Sequence, residues 1–225
     1  MVVEIPALLD RQEAAAMRAA LEAADWADGR ATAGHRAARV KDNEQPPLDA
    51  PLARQLGDRL RERLAQTPLF VAATLPRHVL EPRFSRYAGC GAYGNHVDNA
   101  IFPTAAGGFL RSDVSCTVFL SEPADYDGGE LVIEGQFGTQ SAKLPAGHAV
   151  VYPASSLHHV APVTRGVRLV AFLWVQSFVA DAERRRLLFE LDGAIQALTA
   201  DHPEHASIDV LTGTYHNLLR QWSQT

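Results

Sequence analysis

The chain is short of several things, and each shortage excludes a class of protein. It has 2 cysteines, Cys90 and Cys116, in 225 residues. That is too few for a disulfide framework and fits a reducing compartment. No apolar run approaches the ~20 residues that cross a bilayer. The opening stretch, MVVEIPALLDRQE, carries acids and no basic leader region, so no secretion signal is expected and the cytoplasm is the expected location. Basic residues are outnumbered, 21 Lys and Arg against 26 Asp and Glu, for a net charge of −5. Neither a nucleic acid nor a membrane surface is therefore an expected partner. Against these shortages, 47% of the residues are hydrophobic and 21% charged, which supports a packed core of one or two domains. Histidine, at 9 residues, is in mild excess and directs attention to metal or proton chemistry.

The hydrophobic period changes twice along the chain. Asp10 and Glu13 have capping-box spacing, and Ala14, Met17, Leu21 and Ala24 recur at helical steps through Trp26. A second helix is expected from Pro51, with Leu52, Leu56, Leu60 and Leu64 as its stripe. The polar stretch between them, Asp28 to Pro47, reads as a long surface excursion. Short strand-like runs then follow: Phe70–Ala73, Arg83–Tyr87, Val114–Leu120, Gly129–Ile133, Ser141–Leu144, Ala149–Tyr152, His159–Val163 and Val167–Trp174. After Phe178 helical spacing returns, first with Leu187, Leu188, Leu191, Ala194, Ile195 and Leu198. A second stripe, Leu211, Tyr215, Leu218 and Trp222, has Ser207 as its expected cap. The fold class is α+β, a double-stranded β-helix (jelly roll) core flanked by N-terminal and C-terminal helices. The division is residues 1–77 as a helical support region, 78–178 as the jelly-roll domain and 179–225 as a helical tail. The end helices leave oligomeric state open.

Six histidines read as surface or structural residues: His35, His78, His148, His202, His205 and His216. His96-Val97-Asp98 differs, because residues i and i+2 of an extended segment project from one face. An imidazole and a carboxylate would converge there. About sixty residues later comes His158-His159, and then Arg168 at the head of an apolar strand. Two histidines and one carboxylate are the donor set of the facial triad of non-haem Fe(II) sites, with three positions open. Arg168 offers a permanent charge and a planar fork suited to a carboxylate. Only one of His158 and His159 can point inward from a regular strand. A three-residue loop at Thr164–Gly166 would place 158 on the face of Arg168. A two- or four-residue loop would favour 159, and a bulge would reset the count.

At these residues the sequence resembles the PKHD-type hydroxylases, a branch of the Fe(II)/2-oxoglutarate-dependent dioxygenases similar to prolyl and lysyl hydroxylases. The resemblance rests on Tyr87-Ala-Gly-Cys-Gly-Ala-Tyr93-Gly-Asn-His96-Val-Asp98-Asn99, Asp125-Tyr-Asp-Gly-Gly-Glu130-Leu, Leu144-Pro-Ala-Gly, Tyr152-Pro-Ala-Ser-Ser-Leu-His158 and Pro162-Val-Thr-Arg-Gly-Val-Arg168. It also takes in Trp26-Ala-Asp-Gly-Arg30-Ala-Thr-Ala-Gly34 and Arg185-Arg-Leu-Leu-Phe-Glu-Leu-Asp192. It implies His96, Asp98 and His158 as iron ligands, with the pattern Ser-Ser-Leu-His choosing 158 over 159. It makes Arg168 the binder of the 2-oxoglutarate carboxylate, with Tyr87 and Tyr93 lining the co-substrate. Some relatives use a strand tyrosine on that carboxylate; the matching position here is Phe119, which has no hydroxyl.

The implied reaction couples decarboxylation of 2-oxoglutarate by O2, giving succinate and CO2, to hydroxylation of a small-molecule or peptide substrate. L-ascorbate (vitamin C) is the implied reductant, and iron or siderophore metabolism the implied setting. No catalytic residue beyond the metal centre is required, so Cys90 and Cys116 need no role and Cys116 reads as core. The loops around Ile101–Ser112 and Ala31–Pro47 are the expected seat of specificity. Two other readings fit the histidines: a cupin-type metal-dependent isomerase, which leaves Arg168 without a task, and a non-enzymatic iron or 2-oxoglutarate sensor.

Overall fold

The computed structural model describes every residue except Ala33, His35, Leu48, Ala105, Ala106, Gln136, Phe137 and Thr225, so His35 lies outside the described residues. β1 (Val3–Ile5) precedes α1 (Arg11–Glu22). The polar stretch that follows holds β2 (Ala27–Asp28), β3 (Lys41–Asp42) and β4 (Glu44–Gln45), with 3-10 turns at Gly29–Thr32 and Ala37–Val40. Then come α2 (Pro51–Ala65), α3 (Pro68–Thr74), β5 (Pro76–Val79), β6 (Arg83–Tyr87), β7 (Ala92–His96), β8 (Ile101–Pro103), β9 (Phe109–Arg111) and β10 (Val114–Phe119). The remaining strands are β11 (Tyr126–Gly128), β12 (Leu131–Gly135), β13 (Gly138–Ala142), β14 (Ala149–Pro153), β15 (His158–Val160), β16 (Val163–Gly166) and β17 (Arg168–Ser177). α4 (Ala182–Asp201) and α5 (Ser207–Trp222) close the chain.

Two antiparallel sheets face each other as a jelly roll. The larger runs β1-β14-β10-β17-β6-β4-β2, with β5 also on β17; the smaller runs β13-β12-β15-β7-β3. β10 and β17 are buried on both faces, which is why β17 reads as an unbroken apolar run from Leu169 to Val175. Their Cys116, Val118, Ala171 and Leu173 face one core with α1, α2 and α3. Their Phe119 and Val170 face a second core that also holds Leu131, Ile133 and Val160 of the smaller sheet. The helices thus cover the outside of the larger sheet, and the site lies between the sheets.

The helix starts follow local chemistry. The Asp10 carboxylate accepts the Glu13 N–H at 2.7 Å, and Glu13 accepts the Asp10 N–H at 3.1 Å. α1 stops at Glu22, short of Trp26, whose indole N–H instead donates to the Leu21 carbonyl at 3.0 Å. Leu56, Leu60 and Leu64 of α2 are buried as its stripe requires.

Three expectations are corrected. Phe70–Ala73 is helical, not extended, because Pro68 opens the turn and Phe70 reaches the helix-side core. Ser207 does not cap α5: Ala206 holds that position, and the Ser207 N–H donates to the His205 ring at 3.1 Å. The stretch from Asp28 to Pro47 is no bare surface excursion. β4 extends the larger sheet beside β6, and β3 extends the smaller one beside β7.

Candidate metal and co-substrate site

β7 and β15 are neighbours in the smaller sheet, and their register pairs His96 directly with His158. Cross-strand partners share a face, so the two rings meet with centroids 4.2 Å apart. Asp98 lies past the end of β7 and curls back between them. Its carboxylate oxygens stand 3.9 Å from His96 Nε2 and 3.8 Å from His158 Nε2. His96 and Asp98, two residues apart, are thus brought together as their spacing anticipates. One donor atom from each of the three residues lies within 4.8 Å of the others, close enough for a single ion to be shared.

Each donor is held from behind. His96 Nδ1–H donates to the Gly94 carbonyl at 2.8 Å, and His158 Nδ1–H to the Ser156 carbonyl at 3.0 Å, which turns both Nε2 atoms toward Asp98. Ser115 of β10, on the opposite sheet, donates its hydroxyl to Asp98 Oδ2 at 2.6 Å. Tyr93 stacks on His96 with centroids 3.6 Å apart, and Tyr152 meets His158 edge-on at 5.1 Å. Burial, then the neighbouring His158, push His96 down to about 4, so its ring is neutral and free to ligate near neutral pH.

His158 is 4% exposed. His159 points to the other face of β15, does not line the cavity, and leaves its buried Nδ1 without a partner. The loop-counting rule does not apply here. Residues 163–166 form β16, which pairs with β11, so β15 and β17 lie in different sheets and are not a hairpin.

The other end of the same cavity is marked by Arg168, which is 1% exposed. Its guanidinium carbon lies 5.1 Å from the Tyr87 ring centroid and 5.5 Å from that of Phe119. Tyr87 pairs with Arg168 across β6 and β17, while Phe119 of β10 pairs with Val170. The third ring is Tyr126. Burial raises its phenol pKa, and the charge of Arg168 acts against that rise. Among the described residues neither the Tyr126 hydroxyl nor Arg168 Nε makes a well-formed hydrogen bond, although both are buried and Arg168 is close enough to act on the phenol as a side-chain donor. Gly129 makes this packing possible. It takes φ +68°, and a Cβ there would lie 3.0 Å from both Arg168 Cδ and Tyr126 Cε2. No ion pair among the described residues involves Arg168. Cys116 sits in the helix-side core with its thiol pushed up to about 12 by burial, in keeping with a purely structural role.

Sequence reasoning missed Ser115, Tyr126 and Tyr152. Ser115 and Tyr152 sit in strands where alternation was readable, but nothing in one sequence marks which inward polar group meets a ligand. Tyr126 stood inside the Asp-Tyr-Asp-Gly-Gly-Glu stretch, and its Gly129 was the available signal.

The 2OG-Fe(II) oxygenase superfamily model matches residues 82–176, and that of the PKHD-type hydroxylase C-terminal domain matches 181–224. The chain is 55% identical to a PKHD-type hydroxylase of Delftia acidovorans over 100% of both chains. It is 54% identical to another from Xanthomonas euvesicatoria over 99% of each. Among solved structures, a Pseudomonas putida prolyl-4-hydroxylase superposes with a TM-score of 0.53 at 23% identity, covering 78% of this chain and 92% of its own. HygX from Streptomyces hygroscopicus, solved with nickel, 2-oxoglutarate and hygromycin B, gives 0.55 at 18% identity, covering 79% and 84%. No described helix is long and apolar enough to cross a membrane. The chain belongs to the PKHD-type hydroxylase family and is a 2-oxoglutarate-dependent hydroxylase that uses Fe(II) and O2.

Proposed function

We propose that His96, Asp98 and His158 hold the Fe(II), and that Arg168 holds the distal carboxylate of 2-oxoglutarate. The observation that carries this reading is Arg168 itself. A fully buried guanidinium with no acid partner is costly, and it stands at the inner end of a cavity that also contains the His–Asp–His cluster. A dicarboxylate joins the two ends, one carboxylate at the metal and the other on the fork of Arg168. The donor set suits the ion: two imidazoles and one carboxylate are borderline and hard ligands that leave Fe(II) open positions. Bound there, the metal and co-substrate supply the oxidising power for C–H hydroxylation, with succinate and CO2 released.

The protein's own residues orient and shield. Gly94 and Ser156 fix the imidazoles, and Ser115 fixes Asp98. Tyr87 and Phe119 sandwich Arg168 and keep water from it. The Tyr126 hydroxyl completes the carboxylate clamp from the unpartnered side of Arg168, the role for which Phe119 lacks an oxygen. Tyr93 braces His96 and forms the wall beside the co-substrate.

We carry the division into 1–77, 78–178 and 179–225 as part of the same proposal, with β1, β2, β3 and β4 lent by the first part to the sheets of the second. A substrate tied to iron or siderophore metabolism is the finer proposal and rests on the resemblance alone. Anaerobic titration of Fe(II)-loaded protein with 2-oxoglutarate tests the site: a metal-to-ligand charge-transfer band is expected. Under air, slow succinate formation is expected, run with and without L-ascorbate. A protein that binds iron but shows neither band nor succinate would sink the reading.

A further inference from the structure

Near the metal cluster, one row of side chains has no part in holding iron or co-substrate. Lys41, Asn43 and Gln45 are buried and line the cavity, while the intervening Asp42 faces outward. Lys41 Nζ donates to Thr32 Oγ1 at 2.9 Å and lies 5.3 Å from the Tyr93 ring centroid. Tyr93 in turn stacks on His96, so the ammonium stands one aromatic ring away from the cluster.

The acids around Lys41 are occupied elsewhere. Asp28 is held by Arg30, Glu44 by Arg86, and Asp98 by Ser115. Among the described residues no ion pair involves Lys41. Burial first, and then Arg83, lower its pKa to about 8.

Arg83 is the second unmatched cation. It is half-buried on β6 with its guanidinium 5.6 Å from the Trp174 ring centroid, and it too makes no ion pair among the described residues. Trp174 stacks on Phe102 at 4.2 Å, and both rings line the cavity. Arg83 lines an adjoining groove of about 670 Å³ that shares Gln45 with the cavity. Two desolvated cations, acted on by Glu81, Asp28 and Asp98 at longer range but in no ion pair among the described residues, stand beside an aromatic wall on the approach to the metal and make a site for an anion attached to an apolar body.

We propose that the substrate carries an oxyanion, a carboxylate or a phosphate, which Lys41 and Arg83 hold at the mouth of the cavity. Its carbon body then lies against Trp174 and Phe102. The inference rests on the reading that iron sits at His96, Asp98 and His158 and that Arg168 is taken by the co-substrate. Otherwise Arg168 would be the anion's site.

The test uses full-length protein loaded with Mn(II) and N-oxalylglycine, which fills the Arg168 end. It is titrated calorimetrically with 3-phenylpropionate, 2-phenylethyl phosphate and 3-phenylpropionamide. At least one oxyanion is expected to bind about tenfold tighter than the amide, as a charge-assisted hydrogen bond allows. Its protons should show Mn(II)-enhanced relaxation, and Lys41→Met and Arg83→Met should each erase the preference. Whether acid or phosphate ester wins identifies the oxyanion. An amide that binds as tightly as both, no binding by any probe at millimolar concentration, or a preference that survives both substitutions would overturn the proposal. Retained N-oxalylglycine binding certifies each variant as folded. If Lys41→Met fails that check, the wild-type acid–amide comparison and Arg83→Met decide. Wild-type protein that binds Mn(II) but not N-oxalylglycine would bring down the co-substrate reading itself, and this proposal with it.

Discussion

The inner end of the cavity and its mouth are built from different kinds of structure. Arg168, Tyr87 and Phe119 stand on β17, β6 and β10, three adjacent strands in continuous register. Their side chains are buried, and their backbone cannot shift without disturbing both cores. The mouth is assembled from a strand end at His96, a strand start at His158, the two-residue strands β3 and β4, and the β8–β9 hairpin beyond. Exposed Ile101 and Phe109 lie on that hairpin, with Phe109 78% exposed. The difference teaches a division of labour. The rigid end fits one molecule of fixed shape, the co-substrate, while around the metal ligands the mouth draws on short edge strands and a separate hairpin, where side chains can change with less cost to the two cores.

The sharpest break in this picture comes at the metal. Asp98→Ala is expected to abolish Fe(II) binding and succinate formation, with thermal midpoint and far-UV circular dichroism near wild type, because a ligand is lost and no packing. His158→Ala should do the same and His159→Ala should not. Unchanged iron affinity in the first of that pair would move the ligand to 159.

Arg168 comes next. Arg168→Ala should raise the 2-oxoglutarate dissociation constant by about 10²–10³-fold while sparing iron, since it leaves a buried carboxylate unpaired. Arg168→Met preserves much of the volume and removes the unpaired charge. It should therefore raise the thermal midpoint of co-substrate-free protein while losing 2-oxoglutarate binding. A lowered midpoint would make Arg168 a structural residue, and the inner end would no longer be a binding site.

The same contrast explains what was legible in the sequence. The inner end was readable because β17 is long and apolar on both faces, so an arginine opening it stood out. The cluster was readable by chemistry, from His96, Asp98 and His158, although the cross-strand pairing that sets His158 opposite His96 was not. The mouth was hidden because Lys41-Asp42-Asn43-Glu44-Gln45 alternates polar with polar. Its inward face then carries no hydrophobic period. Phe70–Ala73 failed for a related reason: four apolar residues suit either period, and only the packing of Phe70 beneath the helices decides. Long-range partners such as Ser115 for Asp98 leave no local mark at all.

Ser115 joins the two sheets across the metal site, and its loss should have an intermediate effect. Ser115→Ala removes the 2.6 Å hydrogen bond that fixes Asp98 Oδ2. Iron affinity should fall by about 10–100-fold, the usual range for a residue that orients a ligand. The 2-oxoglutarate affinity of the fully iron-loaded variant should change little. Equal losses in both would mean that the mouth and the inner end are mechanically coupled, contrary to the contrast drawn above.

The smallest expected effect tests whether the inner end is one residue or two. Among the described residues the Tyr126 hydroxyl and Arg168 Nε are buried without a well-formed hydrogen bond, and the two side chains pack over the same Gly129. If the phenol shares the carboxylate, Tyr126→Phe costs one hydrogen bond to a charged group. That should weaken 2-oxoglutarate binding about tenfold, with iron affinity and thermal midpoint unchanged. Adding Phe119→Tyr should then restore part of the loss, because the Phe119 ring packs against the same guanidinium and a hydroxyl there would stand beside the same carboxylate. Unchanged affinity in Tyr126→Phe would leave Arg168 as the sole anchor. The buried phenol would then belong to the core, and the rigid end would owe its selectivity to shape and a single charge.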